Sequence, residues 1–185
     1  MTGNRELDPG KPASVAPMPV AYRPPLVRDR AGLVSAVRAA WEELDGVVRG
    51  LSESELNRQV PGLGEGADSW TVKDVVAHLS AWRRNAARVA ALQALPTARR
   101  INALPGAVLG LRTPDFNAEL LRRWRSRTAA EVLEEHRDSF ESMVAAIDRV
   151  PEERLLIRKR SVLWLTPAIG HPRVHLGDIR AALED

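Results

Sequence analysis

The amino-acid sequence predicts an all-α protein, a four-helix bundle preceded by a disordered arm. Three observations carry that expectation. Apolar residues recur at three- and four-residue steps in several long segments. Capping residues stand in front of those segments. No convincing alternating strand pattern occurs, and SVLWL (161–165) is the only short apolar run that could form one.

Residues 1–28 hold six prolines by Arg28 (Pro9, Pro12, Pro17, Pro19, Pro24 and Pro25) and few large apolar side chains. Such a segment cannot repay the entropy of folding and reads as a disordered arm. The bundle domain is expected over 29–185. Asp29 is a suitable N-cap for a first helix with Leu33, Val37, Ala40, Trp41, Leu44 and Val48 on one stripe, ending at Gly50. Ser52 to Asn57 suits one short turn, and PGLGEGADSW (61–70) reads as a loop. Thr71, with Asp74 three residues on, opens a second helix with Val72, Val75, Val76, Leu79, Trp82, Ala86 and Val89 inward. It ends before Pro96. The connection over 96–114 is long, a feature often functional, with a short helix allowed within ALPGAVLGL (103–111). Helical signal returns over Pro114–Arg125. It strengthens at Thr128, where TAAE reads as a capping box ahead of Val132, Leu133, Phe140, Met143, Val144 and Ile147. Pro151 stops that helix, and a last one begins near Thr166 or Pro167. Long amphipathic helices joined with one crossover connection are the signature of a four-helix bundle.

The 185 residues suffice for one domain with a real core, at 44% hydrophobic and 28% charged. Cysteine is absent, which excludes a disulfide framework, a thiolate zinc site and a cysteine nucleophile. Any sulfur chemistry must use sulfur from a cofactor or substrate. The formal charge is +3, with a pI near 9.9. The basic residues are nearly all arginine, are mixed with acids along the helices, and form no run with interleaved aromatics. Nucleic acid is therefore not an expected partner. No stretch approaches the ~20 apolar residues of a membrane span, and the first residues lack the apolar core of a signal peptide. A cytoplasmic protein is expected.

Of four histidines, His171 and His175 are four residues apart, so a helix puts both on one face with Cβ atoms roughly 6 Å apart. They edge the stripe of Ala168, Pro172, Leu176, Ile179 and Leu183. His78 similarly edges the second helix's stripe beside Val75 and Trp82. All three can face one bundle interior and hold one divalent metal ion. Three imidazoles without thiolate suit zinc, nickel or iron and leave positions open for water or substrate. Asp74 and Asp178 are candidates to orient His78 and His175 through their second nitrogens. Pro172, between the two histidines, removes a helix hydrogen bond and implies a kink or a later helix start. His136, within EEHRDS, reads as solvated surface. Trp70, Trp82, Trp124 and Trp164 suit core packing, with Trp82 the best placed for a pocket, one turn beyond His78.

SWTVKDVVAHLSAW (69–82) resembles the start of the second helix in the DinB-like superfamily, and especially the N-terminal domain of mycothiol-dependent maleylpyruvate isomerases. RVHLGDIRAAL (173–183) resembles that family's closing motif, and LPGAVLGLRTPDFNAELLRRWRSRTAAEVL (104–133) its actinobacterial members. The likeness spans roughly 30–183. It implies a DinB-like four-helix bundle with a metal held by His78, His171 and His175, and possible pocket positions at Asn117 and Arg122. It implies a metal-dependent, thiol-dependent transferase or isomerase acting on an electrophilic small molecule, with mycothiol or another low-molecular-weight thiol as cofactor. A homodimer through the first two helices is also implied. No residue suggests itself as the general base. The maleylpyruvate isomerases carry a further C-terminal domain that these 185 residues do not include, so a substrate other than maleylpyruvate is expected. The neighbouring DfsB-like proteins imply an alternative, self-resistance by hydrolysing or sequestering a reactive metabolite. A non-enzymatic dimerisation or binding module is a third reading.

Overall fold

The computed structural model describes residues 27, 29–64, 66, 69–97, 110, 113–155 and 166–184. Most of the proline-rich arm, most of ALPGAVLGL, all of SVLWL with Trp164, and Asp185 lie outside the described residues. Within them are seven helices and no strand, only an isolated antiparallel bridge between Gln59 and Thr71.

Helix α1 spans Arg30–Val48, and the Asp29 carboxylate accepts the Gly32 N–H at 2.7 Å as its cap. Helix α2 is one turn, Glu53–Leu56, closed by a Ser52–Glu55 capping box. Helix α3, Val72–Ala94, begins at a Thr71–Asp74 capping box. Helix α4 spans Thr113–Trp124, and α5, Ala129–Asp148, starts from a Thr128–Glu131 box. A single turn, α6 (Glu152–Leu155), follows Pro151 and has no strong sequence signal. Helix α7 spans Thr166–Glu184. It runs through Pro172 from its expected start, so the anticipated late start does not occur. Proline at this position denies the Ala168 carbonyl its usual donor, and the buried ring offsets part of that cost.

The four long helices close a ring. Helix α3 packs most extensively on α5, α5 meets α1, α1 packs along α7, and α7 returns to α3. Helix α4 lies on the outside of α3. The buried apolar residues form two clusters rather than one. One gathers Leu33, Val37, Val89, Met143, Ile147 and Ile169. The other gathers Leu44, Val48, Val72, Val76, Val132, Leu176 and Ile179. At or beside the junction of the two clusters on each helix stand polar residues. These are Asp45 at the edge on α1, His78 to Asn85 on α3, His136 and Ser139 on α5, and His171 and His175 on α7. A polar belt thus crosses the bundle at one level, and the candidate site is part of it.

Candidate metal centre

Helix α3 brings in His78, and adjacent turns of α7 bring in His171 and His175. The His78 and His171 Nε2 atoms are 3.0 Å apart, and those of His171 and His175 are 3.1 Å apart. One ring nitrogen from each histidine lies within 4.8 Å of the other two. Tetrahedral zinc at about 2.0–2.1 Å from each ligand separates its nitrogens by about 3.3 Å, close to this spacing.

The tautomers sharpen the fit. Asp178 Oδ2 lies 2.8 Å from His175 Nδ1, so that nitrogen carries the proton and Nε2 turns a lone pair inward. Asn117 stands beside His78 and supports its charged form, while His78 Nδ1 and Asn117 Oδ1 are both buried with no hydrogen bond formed. A proton on His78 Nδ1 directed at that amide oxygen again leaves the Nε2 lone pair facing His171. Burial lowers the pKa of His78 to about 3, helped by the charge of His175 and opposed by Asn117. Burial, then His78, His175 and Arg83, holds His171 well below its ordinary value. Burial also lowers His175, against the pull of Asp178. Three neutral imidazoles therefore aim nitrogens at one point, an arrangement that favours a cation between them.

Asp74 does not reach His78. Its Oδ2 accepts the Thr71 N–H and hydroxyl, each at 2.9 Å, because the first turn of α3 offers unpaired donors to a nearby carboxylate. Asn117, from α4, takes the place beside His78 that Asp74 was expected to fill. Trp70 meets the His78 ring edge-on at 5.0 Å, and Trp82 lies 6.3 Å away, in turn against Phe116. A cavity of about 600 Å³ has Trp70 and Asn117, two neighbours of His78, among its walls, together with Arg122 and Arg125; the three histidines are not on its lining. Asn117 and Arg122 thus share one cavity. Trp82 is not on its lining and Trp124 belongs to other surfaces.

His136 is not solvated surface; it is 1% exposed. Its Nδ1 lies 3.0 Å from the Arg83 guanidinium, its Nε2 3.7 Å from Asp45, and its ring stacks on Trp41. Arg83 is equally enclosed at 2%, and its charge reaches His171. A signal for both was present in the apolar register. Val72, Val76, Leu79, Arg83, Ala86 and Ala90 form one stripe, as do Val132, His136, Ser139, Met143 and Ile147. The local charge run around His136 hid it.

Burial, with Arg83, lowers the His136 pKa to about 3. An unfolded chain titrates near 6.5. Below about pH 6.5 the unfolded chain takes up a proton that the folded one refuses. This contribution to stability is whole above that pH and falls by up to about 1.4 kcal/mol per unit on acidification toward pH 3. Urea unfolding between pH 7 and 4 is expected to show the loss, with a slope shallower by about one proton in His136→Gln. Equal slopes would refute it.

No curated protein matches the chain. The family model described as the mycothiol maleylpyruvate isomerase N-terminal domain matches residues 37–179, a span that contains all three histidines and most of each long helix. The chain belongs to the mycothiol maleylpyruvate isomerase N-terminal domain family.

Proposed function

We propose that this protein is a metal-dependent, thiol-dependent transferase or isomerase acting on an electrophilic small molecule, with His78, His171 and His175 as the ligands of one divalent ion. The observation that carries the reading is the convergence of three neutral imidazole nitrogens at 3.0 and 3.1 Å. Zinc, nickel and iron all suit such a donor set. When bound, the ion supplies Lewis acidity that lowers the pKa of a thiol and polarises a carbonyl.

The chain's own residues do the rest. Asp178 keeps the His175 proton on Nδ1 and fixes that ring, and Asn117 beside His78 offers the matching acceptor for its Nδ1 proton. Trp70 and Trp82 flank His78 and keep bulk water from that side of it. The cavity beside Trp70 and Asn117 gives a small molecule its approach, and the Arg125 guanidinium on its wall favours an anionic one. The chain has no cysteine, so the reacting sulfur belongs to mycothiol or a similar thiol.

Replacing Asp178 by asparagine removes the charged partner of His175. A 10- to 100-fold loss of zinc affinity is expected, in the range of about 10–100-fold typical for such partners, as read by competition with a chromogenic chelator. Unchanged affinity would remove Asp178 from the site. The function itself is tested by following thiol consumption. Zinc-loaded protein, mycothiol and 1-chloro-2,4-dinitrobenzene are expected to react with turnover that chelation abolishes. Turnover insensitive to chelation, or none with mycothiol, bacillithiol or glutathione across several electrophiles, counts against the proposal.

A further inference from the structure

Helix α4 separates two cavities. Asn117, Ala118 and Leu121 face the one beside Trp70. Phe116, Leu120 and Trp124 face another, of about 620 Å³, in the groove between α3, α4 and α5. That volume is ample for a small ligand, and nothing in the proposed reaction uses it.

The second cavity is chemically lopsided. At its wall lies Asn85, 2% exposed, whose amide Nδ2 has no hydrogen-bond partner. A buried donor left unmet costs free energy, and an acceptor oxygen in the cavity would satisfy it. Arg88 and Arg123 also line the cavity and have no hydrogen-bond or ion-pair partner among the described residues. The other charges there are already engaged. Arg84 donates to both Glu135 carboxylate oxygens, at 2.7 and 2.8 Å, and to Ser142. Glu119 pairs with Arg122. What remains is an aromatic and aliphatic wall, one deep donor and two cationic groups.

We infer that this groove is a second binding site, for a small carboxylate with a flat apolar body and a carbonyl oxygen. The body lies against Phe116, Leu120 and Trp124, the carbonyl accepts from Asn85, and the carboxylate meets Arg88 and Arg123. The site needs neither the metal nor the triad.

The probe is 3-benzoylpropionate, an aryl ketone carrying a carboxylate, titrated into the full chain by calorimetry and by side-chain amide NMR. Saturable one-to-one binding is expected, with movement of the Asn85 NH2 resonances. The methyl ester should bind at least 10-fold more weakly, as should Arg123→Glu, a change at an exposed position. The His171→Ala/His175→Ala double variant should bind the probe as the wild type does. No saturable binding overturns the inference. So does binding that leaves the Asn85 resonances unmoved, that survives Arg123→Glu intact, or that disappears with the two histidines. Failure of the thiol chemistry leaves this test unaffected, since it runs without metal.

Discussion

Replacing His171 by alanine is expected to weaken zinc binding by more than about 100-fold. Loss of a partner that merely orients a ligand costs about 10–100-fold, and removing a ligand itself costs more. His171 is also the central member of the triad, with the other two Nε2 atoms at 3.0 and 3.1 Å from its own. The metal-free protein behaves differently. There the three imidazoles crowd one another, burial lowers the pKa of each, the neighbouring histidines add to this at His78 and His171 while Asp178 opposes it at His175, and deleting one ring relieves that crowding. Thermal melts should therefore show little loss, or a gain, for metal-free His171→Ala. The zinc-dependent rise in melting temperature, which follows the ratio of ion concentration to dissociation constant, should vanish. A variant that binds zinc as tightly as wild type would remove the basis for the proposed chemistry.

Asp45→Ala is expected to destabilise the fold by about 3 kcal/mol, whereas Arg83→Met should lie within about 1 kcal/mol of wild type or be more stable. The contrast follows from where charge is stranded. Asp45 supports the charged form of Arg83, whose burial lowers its pKa to about 9. Taking away one member of a buried charged set leaves the other unmatched, at about 3–5 kcal/mol, while replacing the buried ion by an apolar side chain of similar volume is often neutral or favourable. Asp45 retains some exposure, so the lower end applies. Asp45, unlike Arg83, keeps other charged partners once Arg83 is gone, since Arg49 and Arg137 also favour its carboxylate. Urea unfolding at pH 7.5 measures both. Similar losses in the two variants would show that Arg83 contributes a net stabilising interaction of its own.

Much of this architecture is legible in the amino-acid sequence. Asp29, Thr71 and Thr128 announce the starts of α1, α3 and α5 because a helix must satisfy its first N–H groups, and short oxygen-bearing side chains do so locally. The i,i+4 spacing of His171 and His175 is likewise a local property of one helix. What the chain could not display locally is where tertiary packing takes its polar residues. Asp74 had two equally near partners by spacing, the helix terminus and His78, and only the side-chain rotamer decides between them. Asn117 reaches His78 across a connection whose path no periodicity describes. His136 and Arg83 occupy apolar register positions, yet each is flanked by charge, and composition outweighed register. Pro172 argued for a kink or a later start in α7; the helix begins at Thr166 all the same, because the packing of a whole helix exceeds the value of one backbone hydrogen bond.

The polar belt has a consequence for how the molecule comes apart. The apolar residues around Met143 and those around Val76 form separate clusters, so opening one does not oblige the other to open. Amide exchange should then resolve into two protected units rather than one, with the boundary along the level of Arg83, His136 and His171. An ion held between α3 and α7 lies on that boundary. It would act as a clasp across a seam, raising the cooperativity of the whole more than the protection of either half.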